Sequence, residues 1–191
     1  MSHAVYQTPA LILKTKNTRE SNKLVYLYTE KFGLIYATLQ SVREIKSKMR
    51  YHMQAYSLVD IDLVSGKSIW RITGVHEKIS SFTYVETPWY PLISIISETL
   101  IRLCIGEEEN EKLWSEINLF FQNLNTENEF YIKEYEIIVM VRFLYSLGYW
   151  DEIDMLIQTD EPYSREIFDY VKANNLRYIK KINQSLYDSQ L

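Results

Sequence analysis

The chain has 191 residues, 47% of them hydrophobic, with only five Gly and four Pro, which excludes a disordered, collagen-like or low-complexity polymer. A single cysteine excludes a disulfide framework and a cysteine-built metal centre within one chain. The net charge of −4 is unevenly spread: residues 1–80 hold 12 Lys and Arg against 6 Asp and Glu, whereas residues 81–191 hold 9 against 19. A basic half of this kind points to a nucleic-acid or acidic partner.

The first third reads as strands. Residues 9–16 (PALILKTK) form a short apolar run. Residues 24–29 alternate, with Leu24, Tyr26 and Tyr28 on one face and Val25 and Leu27 on the other. A turn at 30–33 ends in Gly33, where a positive φ is expected. Residues 34–40 put Ile35, Ala37 and Leu39 on one face. A basic connector follows, with Arg43, Lys46, Lys48 and Arg50 within eight residues against one Glu44. Residues 56–64 place Val59, Ile61 and Leu63 inward and Asp60 and Asp62 outward, and residues 68–75 return after Ser65-Gly66. Five short strands with a long connector after the third outline an oligonucleotide-binding (OB) barrel, the arrangement that leaves no strand edge exposed.

Near Pro88 and Pro91 the period changes from 2 to 3.6. Residues 92–104 carry Ile93, Ile96, Leu100 and Leu103 at helical spacing, and Gly106 stops them. Glu107-Glu108-Glu109 opens a second helix, with Leu113, Ile117, Phe120, Phe121 and Leu124 along it. Thr126 to Glu129 reads as a capping box opening a third, which runs past Arg142 and Tyr145 to Gly148. Residues 152–157 and 164–186 read as further helices. The expectation is an α+β chain: a five-stranded OB barrel over residues 1–80 and an all-α domain over residues 81–191. The most apolar run, residues 92–105, contains Glu98 and Arg102 and falls short of the about 20 apolar residues a spanning helix needs. With no leader-like start, the chain is expected in the cytoplasm and away from membranes.

No catalytic or metal-binding constellation emerges. His3, His52 and His76 lack ligand spacing, and there is no phosphate-cradling glycine loop. Cys104, in the apolar helix, reads as a buried small residue. The expectation is a protein without catalytic residues, metal or cofactor.

Four segments stand in a fixed order: Arg19-Glu20-Ser21-Asn22-Lys23-Leu24-Val25, then Tyr28-Thr29-Glu30-Lys31-Phe32-Gly33, then Gln40-Ser41-Val42-Arg43 with Ser47-Lys48-Met49-Arg50, and Arg142 to Tyr149 (RFLYSLGY). Together they resemble the RecO family of recombination mediators in bacterial DNA repair. The resemblance implies an OB domain and a helical domain. It further implies a non-enzymatic, nucleoid-associated protein that binds single- and double-stranded DNA and anneals strands. Its implied partners are RecR and the acidic tail of single-stranded DNA-binding protein, and through them it helps load RecA. The chain departs from the family where Gln40-Ser41 replaces a basic Lys-Gly and Glu44 a basic position. Residues 158–162 hold no cysteine where many members carry a zinc element, so no zinc is expected, and the C-terminal helices are expected to be fewer.

On this reading Arg43, Lys46, Lys48 and Arg50 contact phosphates, flanked by Lys14, Lys16, Arg19 and Lys23 and extended by Lys67 and Arg71. Tyr36, Tyr51 and Trp70 are candidate stacking rings, Trp70 with a core-packing reading beside it. Leu100, Arg102 and Leu103, and Arg142, Phe143 and Tyr145, are candidate partner contacts, apolar residues beside a cation. Two other readings remain open: an OB scaffold for a RecR-type partner with little DNA binding of its own, and an OB-fold RNA binder.

Overall fold

The computed structural model describes residues 4–18, 22–39, 51–66 and 69–189. The chain divides into two compact units, Met1–Glu109 and Asn110–Leu191. The change of hydrophobic period near Pro88 and Pro91 marks the passage from strand to helix, and the helix that opens there groups with the strands in the first unit.

The first unit contains β1 (Val5–Asn17), β2 (Lys23–Thr29), β3 (Gly33–Leu39), β4 (Leu58–Val64) and β5 (Trp70–Ile79). They close into a barrel in the order β1-β2-β3-β5-β4, antiparallel except for β3 with β5. This is the five-stranded OB barrel that the strand pattern outlines. Alternation decides which side chains enter it: Val25 and Leu27 from β2, Ile35, Ala37 and Leu39 from β3, and Val59, Ile61 and Leu63 from β4 are all essentially fully buried. Met53, at the return of the connector, joins the same core.

Two strands are longer than their apolar pattern. β1 begins at Val5 because Val5 to Leu11 pair with β4, and this backbone pairing extends through the polar Gln7 and Thr8. β5 runs on to Ile79 for the same reason, Leu58 pairing with Ile79. The fourth strand starts later than expected, at Leu58, because Tyr56 takes a positive φ of 73° that no strand accommodates. In the β2–β3 turn, Gly33 has φ 59°, and Thr29 Oγ1 accepts from Phe32 N (3.0 Å) and donates to the Gly33 carbonyl (3.1 Å).

α1 (Trp89–Leu103) packs against β1. It buries Leu92, Ile93, Ile96, Leu100 and Leu103 and ends at Cys104, whose thiol burial pushes up to about 12.

The second unit consists of α2 (Glu111–Gln122), α3 (Ile132–Ser146), α4 (Met155–Gln158) and α5 (Arg165–Asp188). α3 packs against the other three and is buried along most of its length. A 3-10 turn, Thr126–Tyr131, precedes α3, and its capping side chain is Asn125, whose oxygen accepts from Asn128 N (2.9 Å). The expected helix start at Thr126 is therefore corrected: α3 itself opens at Ile132. Many of the chain's aromatic rings serve this interior. Tyr131 stacks on Phe168 and Tyr135 on Tyr163, each at 4.5 Å, and the Tyr135 hydroxyl donates to the Asn123 carbonyl.

Candidate nucleic-acid interface

The candidate interface is the outer face of β1, β2, β3 and the start of β5. Since Val25, Leu27, Ile35 and Ala37 point inward, Tyr26 and Tyr36 must point out. The tight β2–β3 turn pairs Thr29 with Gly33 and so brings Tyr26 opposite Tyr36. Their rings meet edge to face, 4.9 Å apart at 81°. A bulge in β1 between Ile12 and Lys14 puts Lys14 opposite Tyr26. Two residues on, the exposed Lys16 holds its ammonium 5.3 Å from the Tyr26 ring centroid. Across the barrel closure, Thr38 of β3 is in register with the exposed Arg71 of β5.

A face of this build presents two rings in the middle and a cation on either side. Tyr36 is 43% exposed, and Lys16 and Arg71 are exposed on the strands to either side of the ring pair, the combination of ring face and positive charge that sequence-tolerant single-strand binding uses.

Not every expected cation is open. Lys14 Nζ lies 2.6 Å from Glu98 Oε1 of α1, and that hydrogen bond raises the lysine pKa above its ordinary value. Lys23 Nζ reaches the Met53 carbonyl at 3.4 Å. Tyr51 is 68% exposed where the connector returns. Trp70 takes the packing alternative: it lies against the barrel core with Phe32 and Tyr6 around it, and its indole N–H donates to Glu107 Oε1 at 2.8 Å. Arg19, Arg43, Lys46, Lys48, Arg50 and Lys67 lie outside the described residues.

Of the six residues expected to meet protein partners, Leu100, Leu103 and Phe143 are buried in the packing, which removes them from any open surface. Arg142 is also buried, and its charge is committed. Nε and Nη2 donate to the two oxygens of Glu116 at 2.6 and 2.8 Å, and Nη1 donates to the carbonyls of Leu156 and Thr159. It ties α3 to α2 and to the segment around α4. Arg102 is exposed, and Tyr145 lines a groove of about 170 Å³ with Lys112, Ser115 and Ile157, Arg142 and Glu116 among its walls. Among the described residues no group of three or more His, Cys, Asp or Glu is placed to hold a metal ion, and no helix is long and apolar enough to cross a membrane.

Sequence reasoning passed over Tyr26 and Glu98. Tyr26 carried a readable signal: it and Tyr36 are equidistant from the turn, so a tight hairpin must pair them. Glu98 carried none, being 84 residues from Lys14.

Comparison with known proteins bears on the same region. Residues 1–87 match the family model described as Recombination protein O N terminal. The DNA repair protein RecO of Clostridium novyi is 39% identical over 79 residues, which are 41% of this chain and 30% of that protein. That of Chlorobium limicola is 27% identical over 168 residues, 84% of this chain and 62% of that protein. That of Clostridium perfringens is 28% identical over 127 residues, 65% and 51% respectively. The chain thus spans less than two thirds of the length of these relatives. Over residues 1–87 the chain is thus similar to the N-terminal domain of the RecO family.

Proposed function

We propose that this protein acts in DNA repair as a non-enzymatic recombination mediator whose barrel binds single-stranded DNA. The observation that carries the reading is the row Lys16, Tyr26, Tyr36 and Arg71 across the outer face of the barrel, paired rings flanked by cations. The relatives' name, DNA repair protein RecO, supports the biological setting. The basic run Arg43, Lys46, Lys48 and Arg50 supplies further charge in the connector between β3 and β4. Binding by phosphates and ring faces tolerates sequence and weakens steeply with salt. Double-stranded DNA, strand annealing and RecA loading with RecR belong to the same proposal. So does capture of the acidic tail of single-stranded DNA-binding protein, with the groove beside Lys112 and Tyr145 as the contact in the helical unit.

The test is fluorescence anisotropy of a labelled single-stranded oligonucleotide at two salt concentrations. Wild type is expected to bind, with affinity falling as salt rises. Tyr36→Ala is expected to cost about 1–3 kcal/mol, the usual worth of one base–ring stack. Replacing Arg43, Lys46, Lys48 and Arg50 together by Ala is expected to flatten the salt dependence. Salt-sensitive binding that Tyr36→Ala leaves untouched would move the site off this face. No binding by wild type at low salt would overturn DNA binding and favour the protein-scaffold alternative. Preference for an RNA strand of the same sequence would point to 2′-hydroxyl contacts instead.

A further inference from the structure

Three residues spaced a helical turn apart on α1, Tyr90, Ser94 and Glu98, form one row along the barrel. The Tyr90 ring meets Tyr56 edge to face at 5.2 Å, and Ser94 Oγ shares a 3.0 Å hydrogen bond with the Tyr56 hydroxyl. Glu98 takes Lys14. Tyr56 holds its strained positive φ where the chain returns from the basic connector, and its N–H donates to the Ile12 carbonyl, just before the bulge that positions Lys14. The row therefore fixes both the root of the connector and one cation of the interface.

We propose that Glu98 is an acidic brake on the nucleic-acid face: it occupies Lys14 in an ion pair that a phosphate must displace before that lysine contributes to binding. The inference rests on the DNA-binding reading above. Both side chains are partly exposed, 39% for Lys14 and 56% for Glu98, so solvent screens the pair and a phosphate can compete for it. While the pair persists, Glu98 opposes an approaching phosphate, and Lys14 has no counterion to release. Opposite Tyr26, the freed ammonium would add a contact at the edge of the ring pair.

Glu98→Gln keeps the shape and removes the charge. The experiment measures binding of a labelled thymidine oligonucleotide to wild type, Glu98→Gln, Lys14→Ala and the double variant across a salt series. Glu98→Gln is expected to bind about threefold tighter at low salt, the scale of an exposed ion pair. Its plot of log affinity against log salt should steepen by about 0.7, the single-strand value for one added phosphate contact. In the Lys14→Ala background the substitution should lose most of that gain. If wild type binds and Glu98→Gln binds equally or more weakly, the brake is overturned and the DNA reading stands. A gain that survives in the Lys14→Ala background also overturns it, since Glu98 would then act as a general negative charge. If neither wild type nor Glu98→Gln binds at low salt, the DNA reading fails and the brake falls with it.

Discussion

Arg142 stands in the interior with every direction of its guanidinium fork in use. Replacing it by Met leaves Glu116, whose side chain is only 17% exposed, without its cation and two carbonyls without a donor. The expected loss is about 3–5 kcal/mol, read from urea unfolding. Adding Glu116→Met in the same chain should recover much of it, because the cost lies in the orphaned charge rather than in a missing attraction. At this scale the sequence was legible where a side chain's direction follows from period alone. Val25, Leu27, Ile35, Ala37 and Leu39 were placed inward by alternation, and they are inward. It was illegible where two charges from distant elements meet. Arg142 lies 26 residues from Glu116 and Lys14 lies 84 from Glu98, and no spacing rule reaches that far. An arginine on the apolar stripe of a helix thus read as a docking cation when its partner was the neighbouring helix.

The β2–β3 hairpin does the most to create the candidate interface, because its tight turn sets the register that pairs Tyr26 with Tyr36. Gly33 is the residue that turn depends on. It holds φ 59°, and a Cβ there would strike the carbonyl of Glu108. Gly33→Ala is therefore expected to cost more than about 2 kcal/mol, measured by thermal or urea unfolding, with a parallel loss of oligonucleotide binding as the register loosens. The requirement for glycine here was visible in the sequence; the approach of Glu108 was not. Strand and helix cores were likewise visible, while element ends were set by groups that leave no local pattern. β1 and β5 are extended by backbone pairing to β4, and α3 is delayed by the Asn125-capped turn before it.

For the whole molecule, the two units carry different charge. Residues 1–109 hold 13 Lys and Arg against 11 Asp and Glu, whereas residues 1–80 alone hold 12 against 6, so the stretch from 81 to 109 offsets most of the basic surplus around the barrel. That stretch also supplies α1 and its contacts to Lys14 and Tyr56. A fragment of residues 1–109 is expected to unfold cooperatively and to bind the oligonucleotide, since its barrel core is drawn wholly from residues 10–75. A fragment cut at residue 80 should be markedly less stable, having lost the helix packed on β1, and its binding, where folded, should be tighter and more salt-sensitive. Circular-dichroism melts and anisotropy on the two fragments check both statements.

Ring closure of the five strands has one more outcome. β1 pairs with β2 and β4, and β5 joins β3 to β4, the β3–β5 seam resting on two register pairs, Ala37 with Trp70 and Thr38 with Arg71. The outer face of the paired strands presents side chains rather than backbone, so a partner docking on that face is recognised through side chains. Recognition of that kind is tunable one residue at a time, so single substitutions on the barrel surface can change what this protein holds without disturbing how it folds.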